Sequence, residues 1–290
     1  VSAYQLGLAL LGLAGVALGL LGAAAWRRRH LQLAVREQAF QPAWRAILAR
    51  RIPLYSRMPP DMRERLERAT LDFLSRVALV GCDGLEITPE MRIVIGAHAA
   101  LLALSRGIAL YGPLQAVLVY PEEFVVPISE EDDAGVVTEG EDVLAGQAIE
   151  TDRIVLSWAD VIAPQPGEGA WNVVLHEFAH FIDESFGGAL SARPADGASS
   201  NAWHDVLETE YERLCAAVQT GEDSLIDPYG AESPAEFFAT ATEAFFVSPA
   251  ELAARNAPLY RLLADFYGLD PAAWPEATDV LTTLAGRNSH

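Results

Sequence analysis

Polarity along this 290-residue chain follows two periods, and ahead of both stands a stretch with almost no polarity at all. From Ala3 to Trp26 the residues are mainly Leu, Ala, Gly and Val, with Gln5 as the main polar interruption, and Arg27-Arg28-Arg29-His30 follows at once. A run of that length can cross a bilayer. Its positive charge comes after the apolar run instead of before it, unlike that of a cleavable signal peptide. The pattern predicts one membrane-spanning helix over residues 3–26, inserted in the inner membrane with the arginines and the rest of the chain on the cytoplasmic side. The expected organisation is an anchor with its basic flank over 1–30 and one domain over 31–290.

Beyond the anchor the period is mostly helical. Leu31 to about Arg76 spaces apolar residues among basic ones, with breaks at Pro42, Pro53 and Pro59-Pro60 and Asp61 as a cap for the next helix. Met91–Leu104 is a second apolar run, bounded by Arg92 and Arg106; it is short for a span and predicts a core helix, with His98 a satisfied histidine and not a ligand. Strands are predicted at Leu85–Thr88, Ala116–Tyr120, Phe124–Ile128 and Arg153–Trp158, where β-branched and aromatic residues concentrate. An exposed edge at the last of these could pair with an extended peptide and so hold a substrate by main-chain hydrogen bonds. Ala202–Val218 carries Trp203, Val206, Leu207, Tyr211 and Leu214 at helical spacing, with His204 on its wet side.

One helix carries chemistry. After Asn172, a good N-cap, the chain reads Val-Val-Leu-His176-Glu177-Phe-Ala-His180-Phe-Ile-Asp183, and Gly187-Gly188 supplies a stop. Residues four apart share a helix face, so His176 and His180 can offer imidazole nitrogens to one zinc ion. Glu177, about 100° further round, stands beside that ion, where it can take a proton from water. Two histidines leave zinc one protein ligand short of the catalytic pattern of three. Asp183 lies one turn on, where it suits orienting a histidine better than binding metal. Glu236 and Glu243, seven apart on a later helix, are the remaining candidates. For Glu236 the residues leave an alternative open, because Ser233-x-x-Glu236 with Pro234 is also a capping box.

Composition narrows the classes. There are 40 acidic against 20 basic residues, a net charge of −20, which argues against a nucleic-acid partner. The acidic clusters Glu130–Asp133 and Glu139–Asp142 lack the spacing of a calcium loop. Cys82 and Cys215 are the only cysteines and stand far apart, so neither a disulfide framework nor a cysteine metal site is indicated.

Four blocks in order, VLVYPEEFVV (117–126), IVLSWADV (154–161), HEFAHFID (176–183) and DPYGAESPAEFFATATEAFF (227–246), resemble the Mlc titration factor A family of bacterial zinc metallopeptidases, with similarity from about Pro42 to Tyr267. The resemblance implies a zincin-like α+β fold, a small mixed sheet beside a mostly helical body. It implies zinc held by His176, His180 and Glu236, Glu177 as general base, and Tyr229, seven residues before Glu236, as the oxyanion's stabiliser. From the residues alone Tyr229 could equally be a loop aromatic packed on Pro228. The substrate implied is a peptide or protein. Some members bind the glucose-responsive repressor Mlc, so a zinc-containing protein that sequesters a transcriptional repressor is the alternative. The N-terminal anchor departs from the family pattern, whose members are typically cytosolic.

Overall fold

Proline opens most of the helices. The computed structural model describes residues 38–122, 124–131, 137–144, 146–150, 152–163, 171–188 and 200–275. In chain order its elements are α1 (Pro42–Arg51), α2 (Pro53–Arg57), α3 (Pro60–Arg76), β1 (Ala78–Gly81), α4 (Pro89–Leu102), β2 (Ala116–Tyr120), β3 (Phe124–Glu131), β4 (Val137–Leu144), β5 (Gly146–Glu150), β6 (Arg153–Ser157), α5 (Trp158–Ile162), α6 (Val173–Ser185), α7 (Ser200–Thr220), α8 (Pro234–Val247), α9 (Pro249–Arg255) and α10 (Ala257–Tyr267). Proline sits in the first two positions of α1, α2, α3, α4, α8, α9 and α10, where its missing N–H would have had no helical partner. Asp61 lies in the first turn of α3 and not at its cap, which is Pro59.

The sheet runs β1-β2-β6-β5, with β1, β2 and β6 parallel and β5 antiparallel on β6. β3 and β4 form a separate antiparallel hairpin. Helix α6 packs on β5 and β6, α4 packs between α3 and α6, and α8 lies along α6. Where they meet, Phe73, Tyr111, Phe178 and Phe181 make an aromatic core, with ring centroids 5.6 Å apart for Phe73–Phe178 and 5.3 Å for Tyr111–Phe178. The Tyr111 hydroxyl, buried with its ring, donates to the Ala99 carbonyl at 2.8 Å. All the elements just named belong to one unit, Phe40–His290.

Three expectations need correction here. The described residues are mostly helical, with a small sheet in which β1, β2 and β6 are parallel; of the expected α+β fold, a small mixed sheet beside a mostly helical body with one spanning helix, it is the spanning helix that is not supported. Among the described residues no helix is long and apolar enough to cross a membrane. The apolar run at α4 has 14 residues and carries Glu90 and Arg92, and it packs against other helices. Ala3–Trp26 lies outside the described residues, and the single-pass inner-membrane placement facing the cytoplasm is not supported.

The other two corrections concern the sheet. Arg153–Ser157 is an interior strand, covered on one side by β2 and on the other by β5, and Trp158 already begins α5. Its buried residues Ile154, Val155, Leu156 and Ser157 show why it read as strongly apolar: both faces are covered. Leu85–Thr88 is not a strand. The chain turns back so tightly after β1 that a Cβ on Gly81 would lie 1.8 Å from the Leu85 carbonyl oxygen, and Thr88 serves instead as the N-cap of α4, accepting from the Met91 N–H at 3.2 Å.

Candidate metal centre

Helix α6 forms where the sequence predicts it, with the Asn172 side chain accepting from the Leu175 N–H at 3.1 Å and the chain leaving through Gly187 and Gly188 at positive φ. Val174, Phe178 and Phe181 are buried against the core. That orientation turns His176 and His180 the other way, toward α8. Their Nε2 atoms lie 3.1 Å apart, and Glu236 Oε2 stands 3.0 Å from the first and 3.3 Å from the second.

Among the described residues, His176, His180 and Glu236 are the group whose donor atoms could hold a metal ion, all lying within 4.8 Å of one another. The spacing suits one. Donors about 2.0–2.1 Å from a tetrahedral ion lie roughly 3.3 Å from each other. The chemistry suits it as well, because a single proton can satisfy only one pair among two imidazole nitrogens and a carboxylate oxygen, whereas a cation satisfies all three. The donor set, two imidazoles and a carboxylate, is one that zinc takes.

The elements that bring Glu236 there are local. Ser233 Oγ caps α8 by accepting the Glu236 N–H at 3.1 Å, so half of the capping box is present, while the Glu236 carboxylate points to the histidines. Ahead of it the chain makes a 3-10 turn over Pro228–Ala231, in which Asp227 Oδ1 accepts the Tyr229 N–H at 2.9 Å. The turn is pressed onto α8: a Cβ on Gly230 would lie 2.4 Å from Thr240 Oγ1. Tyr229 is thereby left 41% exposed, with its ring centroid 6.1 Å from that of His176.

Behind the histidines Glu243 is fully buried, and its Oε1 accepts from His176 Nδ1–H at 2.8 Å. Its other oxygen accepts from the backbone N–H of Asn172. The Asn172 side chain in turn donates to His98 Nε2 at 3.0 Å, and His98 Nδ1–H donates to the Val94 carbonyl at 2.9 Å. Glu177, 5% exposed, is adjacent in sequence but turned aside, and Asp183, also buried, stands outside the donor group. Sequence reasoning identified Asn172 only as a cap and His98 only as an interior histidine. Nothing in the sequence signals a bond between residues 74 apart.

Charge follows this geometry. Burial pulls the His176 pKa down, but its hydrogen bonds with Glu236 and Glu243 outweigh that and lift it to about 10. Burial raises the Glu236 carboxyl, and the bonds with His176 and His180 bring it down to about 2. For Glu243 burial prevails over its bond with His176, and the shift is upward. Glu177 is pushed up by burial, against the attraction of the two histidines, to about 7, which suits a group that must both accept and release a proton near neutrality.

His98 offers a measurement away from the donors. Burial lowers its pKa to about 4, against the pull of the Val94 carbonyl. The unfolded chain takes up that proton near pH 6.5. Stability held by neutral His98 is thus complete above about pH 6.5 and is lost as pH falls toward 4, by on the order of 3 kcal/mol. The melting temperature of the wild type is expected to fall more steeply than that of His98→Gln between pH 7 and 4.5; parallel curves would contradict this.

Residues 23–268 match the glucose-regulated metallo-peptidase M90 family. The chain belongs to that family. Among its relatives, an uncharacterized protein of Synechocystis is 34% identical over 250 residues, 85% of this chain and 89% of that one. Mlc titration factor A of Yersinia enterocolitica is 34% identical over 79% of this chain and 86% of its own length, and that of Serratia proteamaculans is 34% identical over 79% and 88%. Membership of the M90 family points to a metallopeptidase, and the cluster on α6 and α8 is where a member of it could bind a metal.

Proposed function

We propose that the chain is a zinc-dependent peptidase whose 31–290 domain holds the ion with His176, His180 and Glu236. The observation that carries this is the triangle of donors, 3.0 to 3.3 Å on each edge, formed by two side chains of α6 and one of α8. Bound there, zinc would supply Lewis acidity, activating a water molecule and polarising the scissile carbonyl. Glu177 then takes the proton of the attacking water and delivers it to the leaving amine. Tyr229, exposed and beside His176, donates its phenolic hydrogen to the oxyanion that develops on the carbonyl. Glu243 holds the ring of His176 by its Nδ1–H and so keeps Nε2 turned to the ion.

The experiment combines two measurements on purified protein: zinc per chain, and cleavage of a peptide library with and without a chelator. One zinc per chain and chelator-sensitive cleavage are expected. Zinc-loaded protein that cleaves no peptide would sink the peptidase assignment. It would favour a second reading, in which the chain titrates Mlc, as the name of the Yersinia and Serratia relatives says of them.

His180→Ala removes one corner of the triangle outright. Zinc content is expected to fall from about one per chain to well below it, and hydrolysis with it. Retention of stoichiometric zinc after dialysis would show that the ion sits elsewhere.

A further inference from the structure

The hydrogen bonds around His176 extend further than its own partner. Glu243 uses both of its oxygens as acceptors, one for His176 Nδ1–H and one for the Asn172 N–H. Asn172 uses three groups at once: the backbone N–H on Glu243, Oδ1 as the cap accepting from Leu175, and the side-chain NH2 on His98. The roles at His98 are fixed by chemistry. Its Nδ1 faces a carbonyl, which can only accept, so Nδ1 carries the hydrogen and Nε2 is left as an acceptor for the amide. The amide is held at both ends, its Oδ1 by the Leu175 N–H and its NH2 by His98. Asn172 and His98 both line a cavity of about 550 Å³ beside the start of α6, walled also by Leu54, Trp158, Trp171 and Phe246. Losing the bond to His98 leaves the amide fixed at its cap oxygen alone.

We infer that Asn172 and His98 are positioning residues of the metal centre, acting through Glu243 to set the orientation of His176. The inference rests on the assignment of His176, His180 and Glu236 as zinc ligands. His98 orients the Asn172 amide, the amide and cap orient the backbone at the start of α6, and the N–H there fixes the second oxygen of Glu243. A carboxylate held at both oxygens cannot swing, so the imidazole bonded to it cannot either.

The test uses the full chain and zinc affinity measured by competition with a chromophoric chelator. His98→Leu, which has no acceptor, is expected to weaken zinc binding about 10–100-fold, while His98→Gln, which keeps one, stays within about 3-fold of wild type. In a Glu243→Gln background His98→Leu is expected to add little, because the effect passes through Glu243. Wild-type affinity in His98→Leu, or an effect that adds in full to that of Glu243→Gln, overturns the inference. If His98→Leu does not fold, Asn172→Ser takes its place with the same expectation, since serine keeps the cap but has no amide to reach His98. If the wild type itself binds no zinc, the ligand assignment fails. The inference is then decided by proton NMR of His176: a downfield, slowly exchanging Nδ1–H in wild type and His98→Gln that disappears in His98→Leu. Its persistence in all three overturns it.

Discussion

Glu177→Gln is expected to bind zinc as the wild type does and to hydrolyse peptides about 10²–10⁴-fold more slowly. The substitution preserves size and leaves His176, His180 and Glu236 in place, so the donor triangle is untouched. It removes the buried carboxylate next to His176 in the chain, which is not one of the three donors. Burial supports the role, since it pushes this carboxyl up to about 7 and so brings proton uptake and release into the same pH range. An amide of the same shape cannot take a proton from water at all. Zinc content and kcat/KM measured on the same preparation separate the two effects. Near wild-type turnover in zinc-loaded Glu177→Gln would remove Glu177 as the base, and loss of zinc in that variant would mean that it is a ligand.

Glu236→Gln is expected to weaken zinc binding more than Glu243→Gln, and this order distinguishes a ligand from a residue that steadies one. Glu236 Oε2 points at both Nε2 atoms, where an ionised carboxylate offers a full negative charge to a cation. Its amide analogue offers a weak dipole. Glu243 instead meets the far nitrogen of His176. Glutamine there can still accept from one of its two partners, but its NH2 opposes the other donor, so a loss of about 10–100-fold is expected. Helix α8 persists in both variants, because Ser233 and not Glu236 provides its cap. Zinc titrations giving the reverse order would move the ligand to Glu243, and circular dichroism would report any loss of helix.

Several features of this protein were legible without coordinates, and they are the local ones. Helix α6, its Asn172 cap, its glycine exit and the shared face of His176 and His180 follow from the 3.6-residue period and from capping chemistry, which act over a few neighbours. The buried face of Val174, Phe178 and Phe181 is legible for the same reason. Strands at 116–120 and 153–157 were recoverable from their β-branched residues, yet their neighbours were not. Strand order depends on which hydrogen-bonding edges meet after the chain has crossed over, and so the interior place of Arg153–Ser157 is not legible in its residues. The turn after β1 is not legible either, because the close approach of Gly81 and Leu85 is a contact, not a composition.

By itself, then, the sequence determined the helix that carries His176, Glu177 and His180, and through its ordered blocks the family to which the chain belongs. Helix period alone left Glu236 and Glu243 both open as the third donor, with the Ser233 capping box competing for the first, and only the family resemblance pointed to Glu236. The tertiary structure decided that geometry. Packing α8 along α6 brings Glu236 to the Nε2 side of the histidines and Glu243 to the Nδ1 side, across sequence separations of 56 to 67 residues. It also decided that His98, 74 residues before Asn172, reaches the start of α6. The physical reason is range: capping and periodicity act between residues one turn apart, whereas the direction a carboxylate faces is set by how buried helices dock, which no local pattern encodes.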